Sequence, residues 1–343
     1  MERLLLLLHT ELDGSLAPAA LEALGLAQSV LDPATETLTV GLVGAAVAAA
    51  ADLIAASQPT RIFGVQGVDF AAPRYGSDAA AAEAICRAAT PTLVIAPATC
   101  RWNRVLPGVA SRLHGVIDTH ITGVNDADHP LTVQRWFYRQ RIEATIRRSQ
   151  RPWFLLAEPG IHQAWEGAAG KASVEMLSVD LPSSCRRTQV IGLREPPTTH
   201  QTIRPDAKLL FVAGAGWTKK QPDGQWHVRE AEQAIVRFLE LTQASLGSTK
   251  SLVDLSAEGE AVLPFLTHLN QVGQTGSTPR HLKGLATCCH GEEPHTVGWR
   301  FITERRAICL DPNCGWARGK ADVLYVADAF AVMDKLNALL QTS

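Results

Sequence analysis

The 343-residue chain is poor in aromatic residues, modest in charge and without an excess of either sign. Aromatic residues make up 6% of it, charged residues 19%, and the formal net charge is −2. A nucleic-acid-binding protein normally carries a basic face or stripe, so this balance argues against a nucleic-acid partner. The hydrophobic fraction of 46% excludes a disordered chain and, at this length, suits two buried cores.

Long hydrophobic runs are also missing. The leucine run at residues 4–8 is too short for the core of a signal peptide. The apolar stretch at residues 40–56 is interrupted by Asp52 and falls short of the roughly 20 residues that a membrane-spanning helix needs. We therefore expect no membrane insertion.

Cysteines are few, scattered and odd in number. They stand at seven positions: Cys86, Cys100, Cys185, Cys288, Cys289, Cys309 and Cys314. This lacks the density of a disulfide-stapled secreted domain and predicts a reducing, cytoplasmic setting. No Cys-X-X-Cys pair is present, and neighbours on a strand point to opposite faces. Buried unreactive thiols are therefore favoured, with a zinc or iron–sulfur site as the weaker alternative.

Apolar runs alternate with alanine-rich segments through the first hundred residues. The predicted strands cover residues 4–8, 38–43, 61–65 and 92–96. The predicted helices include residues 45–56 and 77–89. Alternation of this kind predicts a largely parallel sheet with flanking helices.

The pattern of predicted strands and helices changes after residue 100. A helix is predicted over residues 103–113, and Pro107 inside it predicts a kink or a late start. Short apolar segments at residues 136–138 and 153–157 have little helix between them. They predict a few antiparallel strands that complete the first domain.

Residues 193–206 form the best linker candidate, because they contain three prolines, three threonines and few apolar residues. A strand at residues 209–213, an amphipathic helix over residues 230–246 and a last helix from Asp328 follow. The predicted organisation is an N-terminal α/β domain at residues 1–192, a linker at 193–206 and a C-terminal α/β domain at 207–343.

The strongest local signal is the sequence Gln-Val-Gly-Gln-Thr-Gly at residues 271–276. Two glycines flanking an amide and a hydroxyl form a tight loop with exposed backbone N–H groups. Such a loop suits close approach to a phosphate or a planar ring. Many surface turns have the same composition, so an ordinary turn stays open on this signal alone.

This loop resembles the QVGQTG signature of electron-transfer flavoprotein alpha subunits. Other segments resemble that family in the same order: 209–216 its glycine turn, 248–254 its ASRAAVD, 290–295 its SGAIQH, 308–312 its INKDP and 326–328 its VAD. The N-terminal half agrees more loosely, at residues 16–27, 96–99 and 106–113. The resemblance covers nearly the whole chain and is most specific between residues 248 and 334.

The resemblance implies two α/β domains, each with a mainly parallel sheet flanked by helices, the second a Rossmann-like FAD-binding domain. It implies cofactor contacts in five groups. These are Val272, Gly273, Gln274 and Thr275 at the flavin; Thr249 and Lys250 in place of a Ser-Arg pair; His290, Gly291, Glu292, Glu293, Pro294 and His295 in the turn near the ring and phosphates; Cys309 near the adenine; and Asp334 and Lys335 at the adenosine end.

The function implied is that of an FAD-bearing electron carrier rather than a substrate-converting enzyme. It would work as a heterodimer with a beta subunit, taking electrons from dehydrogenases and passing them to a quinone- or ferredoxin-linked acceptor. Five positions depart from the family pattern: Ala215, which stands where the family's glycine turn has an arginine, and Lys250, Glu292, Glu293 and Cys309. They support an alternative, a divergent homologue that has lost FAD and serves as a structural or binding subunit. A changed ligand is a third and weaker possibility.

Overall fold

The computed structural model describes residues 2–31, 37–125, 131–137, 142–192, 203–204, 207–255, 262–273, 281–287 and 302–342. The chain divides into two compact units, Met1–Leu193 and Arg194–Ser343. Each unit has its own sheet, so the predicted fold class, α/β with two sheets flanked by helices, is confirmed. Most of the predicted linker at residues 193–206 lies outside the described residues, and the proposed domain boundaries stay a prediction.

The N-terminal unit contains nine strands and five α-helices within the described residues. The strands are β1 (Leu4–His9), β2 (Leu38–Gly44), β3 (Arg61–Gln66), β4 (Leu93–Pro97), β5 (Val116–Asn125), β6 (Thr132–Phe137), β7 (Ile142–Ile146), β8 (Trp153–Ala157) and β9 (Glu175–Met176). The helices are α1 (Pro18–Ser29), α2 (Ala48–Leu53), α3 (Val68–Ala71), α4 (Tyr75–Ala89) and α5 (Cys100–Arg112).

These strands form one mixed sheet in the order β7-β6-β5-β8-β4-β1-β2-β3-β9. All pairs from β5 through β9 are parallel, and only β5–β6 and β6–β7 are antiparallel. The chain order reverses at β1, which has β2 on one side and β4 on the other. The parallel sheet is as predicted, and of the two segments predicted to complete it as antiparallel strands, the one in β6 is antiparallel and the one in β8 is not.

Two details of this unit differ from prediction. Strand β8 is parallel to both of its neighbours and lies between β4 and β5, because its five buried residues suit the centre of a sheet rather than its edge. Helix α5 begins earlier than predicted, at Cys100, because the Oγ1 of Thr99 accepts the N–H of Trp102 at 3.2 Å and caps it. Pro107 lies inside the helix and does not delay its start.

The C-terminal unit contains a five-stranded parallel sheet. Its strands are β10 (Leu209–Ala213), β11 (Ser245–Ser248), β12 (Lys283–Thr287), β13 (Glu304–Cys309) and β14 (Val323–Val326). Its described α-helices are α6 (Val228–Thr242), α7 (Lys250–Asp254), α8 (Gly315–Lys320) and α9 (Ala329–Gln341). The strand order is β11-β10-β12-β13-β14, so the chain order reverses at β10.

The helix predicted over residues 230–246 is shorter than expected. It ends at Thr242, and Gln243 takes up a left-handed conformation with φ 54°. Residues that continued the predicted helix instead form β11, whose four residues are all buried and pair with β10. Long-range pairing with a neighbouring strand overrides the local helical pattern at this point.

Alternation along the strands divides the buried residues between the two faces of each sheet. In β1, Leu4, Leu6 and Leu8 join one hydrophobic cluster while Leu5 and Leu7 join the other. The C-terminal sheet likewise has a cluster on each face. Within the described residues, no helix combines the length and the apolar character that crossing a membrane would require.

Candidate functional site

The reversal of strand order at β10 locates the candidate site of the C-terminal unit. In open parallel sheets, a crevice forms at the carboxyl ends of the two strands between which the order reverses, and ligands bind there. The relevant strands are β10, β11 and β12, which end at Ala213, Ser248 and Thr287. The residues that follow them are therefore the first candidates for ligand contact.

The glycine-containing motif reaches this edge directly. The N–H of Val272 donates to the carbonyl oxygen of Ser248 at 3.0 Å, and Gln271 forms a parallel bridge with Ser248. Gly273 has φ +84°, a conformation that side chains other than glycine rarely adopt. The structure thus brings Thr249, Val272 and Gly273, which the resemblance groups at the cofactor, to one edge of the sheet.

Ser248 is a candidate that the sequence reasoning missed. It is fully buried, and its Oγ has no hydrogen-bond partner in the described part of the chain. A buried hydroxyl without a partner costs about 1–3 kcal/mol, which a ligand group could offset. The available signal was a hydroxyl residue next to Thr249, within a segment that resembles the family's cofactor contacts.

Thr249 and Lys250 begin helix α7 at the same edge. The Thr249 N–H donates to the carbonyl oxygen of Ala213 at 2.9 Å, and its Oγ1 accepts the N–H of Leu252 at 3.3 Å. Lys250 Nζ forms an ion pair with Asp254 Oδ2. The Asp254 carboxylate therefore offsets the cation that sequence reasoning assigned to the cofactor.

Asp254 serves two partners. Its Oδ1 lies 3.0 Å from Nε2 of His268, in addition to the ion pair with Lys250. Hydrogen bonds from Lys250 and then from His268 lower the pKa of the Asp254 carboxyl. The carboxylate is therefore ionised at neutral pH, and Lys250 carries no uncompensated charge at this edge.

The end of β10 explains the missing arginine of the family's glycine turn. Ala215 is fully buried in the hydrophobic cluster that contains Trp217. The Trp217 indole N–H donates to Oγ1 of Thr287 at 2.8 Å, and the N–H of Gly214 donates to the Thr287 carbonyl oxygen at 3.0 Å. An arginine at position 215 would place its guanidinium among apolar side chains, so the alanine matches its surroundings.

Three further predicted residues lie elsewhere in the C-terminal unit. Cys309 ends β13 and is buried, and this burial raises the pKa of its thiol to about 11. Asp334 and Lys335 are exposed in the middle of α9. Asp334 lines a groove together with residues of α6, such as Arg237, rather than with those at the ends of β10 and β11.

The remaining predicted contacts are outside the described residues. They are Gln274, Thr275, His290, Gly291, Glu292, Glu293, Pro294 and His295. Their assignment to the cofactor stays a prediction. Across the part of the chain that the structure describes, no three His, Cys, Asp or Glu side chains are grouped so as to hold a metal ion.

The N-terminal unit has its own reversal of strand order at β1. There His9 Nε2 lies 3.0 Å from Oγ1 of Thr99, across the ends of β1 and β4. Burial, with a contribution from the positive charge of Arg101, lowers the pKa of His9 to about 4, so the imidazole is neutral at pH 7. Arg101 is itself buried and pairs with Asp78, with 2.7 Å between Nη2 and Oδ1.

The N-terminal part of the chain matches a known protein family. The model of the electron transfer flavoprotein domain matches residues 5–182, just over half of the chain, from β1 to the segment that follows β9. The chain belongs to this family.

Membership indicates a subunit of an electron transfer flavoprotein, in a family that is typically flavin-linked and works with a partner subunit. The electron transfer flavoprotein domain lies within the N-terminal unit, and the proposed cofactor edge lies in the other. No curated protein matches the chain.

Proposed function

We propose that the chain is the alpha subunit of an electron transfer flavoprotein and that its C-terminal unit binds FAD. The observation that carries this proposal is the reversal of strand order at β10, with the run from Gln271 to Gly273 lying against the end of β11. Membership in the electron transfer flavoprotein domain family supports it from the other half of the chain.

The described residues fit a cofactor held mainly by hydroxyl and backbone groups. The Ser248 Oγ, which has no partner among the described residues, would bond to the cofactor. Gly273 would allow its close approach, and Thr249 and Val272 would line the same edge. Cys309, at the end of β13, would lie toward the adenine end. FAD, when bound, supplies the electron-accepting and electron-releasing chemistry, and the protein supplies binding and electrostatics.

Lys250 would contribute less than a free cation, since Asp254 offsets its charge. We infer that the phosphate charges of FAD are met chiefly by backbone N–H groups. Positions 290–295, Asp334 and Lys335 complete the proposed contacts on the strength of the resemblance.

The proposed role is electron transfer in a heterodimer with a beta subunit. Electrons would come from dehydrogenases and leave to a quinone- or ferredoxin-linked acceptor. The test is to co-express the chain with a candidate beta subunit and record an absorbance spectrum of the purified protein. We expect the two visible bands of oxidised flavin in near-stoichiometric amount. A colourless protein that stays colourless after incubation with FAD would overturn the proposal.

A second candidate is a flavin-free structural or binding subunit. The alanine at position 215 and the pairing of Lys250 with Asp254 favour it, because neither position then offers an uncompensated positive charge to the phosphates. Calorimetric titration with FAD separates the two candidates. Saturable binding to one site supports the carrier, while no heat at high FAD concentration, together with complex formation with the beta subunit, supports the second candidate.

A further inference from the structure

Two free cysteines of the C-terminal unit are in contact with each other. Cys309 ends β13, Cys314 directly precedes α8, and each side chain is only 1% exposed. Both belong to the same hydrophobic cluster on one face of the sheet. A hydrogen bond joins their thiols. The fold therefore brings together a dithiol from two residues that are five positions apart in the chain.

The turn between the two cysteines holds them in place. The N–H of Cys314 donates to the carbonyl oxygen of Asp311 at 3.2 Å, and the N–H of Asn313 donates to Oδ1 of Asp311 at 2.8 Å. Asp311, Pro312 and Asn313 are themselves exposed. The two buried thiols thus flank an exposed turn, so a small movement of that turn lets a small molecule reach them.

Contact with a second thiol changes what oxidation of a buried cysteine produces. The thiolate is the reactive form of cysteine, and burial disfavours it. Burial raises the pKa of the Cys309 thiol to about 11, so its reaction at neutral pH is slow. Once a sulfenic acid has formed at one sulfur, however, the other thiol is the nearest nucleophile, and the two condense to a disulfide. Proximity favours this step over any reaction between molecules.

We propose that Cys309 and Cys314 form a reversible disulfide when the protein meets hydrogen peroxide. One thiol attacks an oxygen of the peroxide, the O–O bond breaks, and the other oxygen leaves as water with the thiol proton. The second thiol then attacks the sulfenic sulfur. The S–S bond forms as the S–O bond breaks, and a second water leaves with the remaining thiol proton. Two thiols and one peroxide give one disulfide and two waters, and two electrons pass from sulfur to oxygen.

The disulfide closes a short loop from the end of β13 to the start of α8. A cross-link of this kind stabilises the folded state by restricting the unfolded chain. Oxidation should therefore raise the unfolding temperature of the protein. Oxidation of a lone buried thiol has the opposite effect, because it places an additional polar atom in a packed core. The sign of the change in stability thus distinguishes the two.

The test treats the full-length chain with hydrogen peroxide, unfolds it in the presence of N-ethylmaleimide, and maps tryptic peptides by mass spectrometry. Cys309 and Cys314 lie in one tryptic peptide, residues 307–318. We expect this peptide to become two hydrogen atoms lighter, to take up no maleimide, and to regain both thiols after treatment with dithiothreitol. Cys86, a buried thiol of the N-terminal unit, is the control and should stay reduced. Oxidation of the exposed Cys100 shows that enough peroxide is present.

Cys314→Ser is the matched variant, because serine is close to cysteine in shape and cannot form the disulfide. Peroxide should raise the unfolding temperature of the wild type by several degrees and should not raise that of the variant. Two outcomes would overturn the proposal. One is a peptide 307–318 that keeps both thiols while Cys100 is oxidised. The other is its linkage to peptide 284–300, which carries Cys288 and Cys289.

Discussion

Nε2 of the His9 imidazole lies 3.0 Å from Oγ1 of Thr99, and this contact joins the ends of β1 and β4. The same Thr99 oxygen caps helix α5 by accepting the N–H of Trp102. The His9 ring also packs edge-on against the Trp102 ring, with 5.6 Å between centroids. A neutral histidine is therefore built into the start of α5.

This arrangement predicts a loss of stability in mild acid. The pKa of His9 falls from its ordinary value of 6.5 to about 4 on folding, so the unfolded chain binds a proton that the folded chain excludes. Its contribution to stability is present above pH 6.5 and is lost as the pH falls toward 4. Between pH 7 and pH 5 the loss is about 2 kcal/mol in the free energy of unfolding.

The measurement is urea unfolding of the wild type and of His9→Gln at several pH values. The variant should lack this part of the pH dependence, although its stability at pH 7 can also be lower. Equal slopes in the two proteins between pH 7 and pH 5 would contradict the assignment.

The buried ion pair between Asp78 and Arg101 predicts a large effect of removing one partner. Asp78 accepts two hydrogen bonds from the guanidinium, at 3.0 and 2.7 Å, and both side chains are buried. Replacing Asp78 with Asn leaves Arg101 buried without its counter-charge and should lower the free energy of unfolding by about 3–5 kcal/mol.

An exposed pair provides the comparison. Arg61 and Glu175 form a salt bridge with both side chains about half exposed. Glu175→Gln should change the free energy of unfolding much less than Asp78→Asn does, because solvent screens the interaction. If the Asp78 and Glu175 variants have similar stabilities, burial does not control the strength of the first pair.

Ser248 predicts opposite effects on the free and the cofactor-bound protein. Ser248→Ala removes a buried hydroxyl that has no partner in the described part of the chain, so the FAD-free protein should be as stable as the wild type or more stable by about 1 kcal/mol. If FAD bonds to that hydroxyl, its affinity should fall about fivefold. Thermal unfolding without FAD and calorimetric titration with FAD measure the two effects.

Ser245 on the same strand is the matched control. Its Oγ donates to the carbonyl oxygen of Arg204 at 2.9 Å and accepts the N–H of that residue at 2.7 Å. Ser245→Ala should therefore destabilise the protein by about 1–3 kcal/mol. A Ser248→Ala variant that loses stability to the same extent would show that its hydroxyl has a partner after all.

The burial of Ala215 predicts that an arginine at this position lowers stability and does not improve flavin binding. Ala215 is fully buried among apolar side chains, and a guanidinium there would lose its hydration. Ala215→Arg should cost at least about 4 kcal/mol of stability and should not improve flavin retention. Lys219→Arg, at an exposed position close by, should stay within about 0.5 kcal/mol of the wild type.

The sequence alone determined the fold class and most of the strands. Buried parallel strands need apolar residues on both faces, so β1 stands out as an unbroken apolar run. The alternation of such runs with alanine-rich helices indicated parallel sheets, and the sheet order bears this out. The motifs that resemble a flavoprotein family could also be recognised, because each of them consists of residues that are adjacent in the sequence.

Tertiary structure decided what depends on partners far away in the chain. Residues 245–246 continue a helical pattern, yet β11 forms there because β10 offers a buried edge with free backbone groups. The position of β8 at the centre of its sheet was set in the same way.

Whether a functional side chain is available was likewise hidden from sequence. The sequence shows Lys250 in place of an arginine and Ala215 as a departure from the family pattern, and it does not single out Ser248. Only the fold shows that Lys250 is paired with Asp254, that Ala215 packs against apolar side chains, and that the Ser248 hydroxyl has no hydrogen-bond partner among the described residues. Charge compensation and burial depend on distances between residues that are far apart in the chain, so they cannot be predicted from the type of a residue alone.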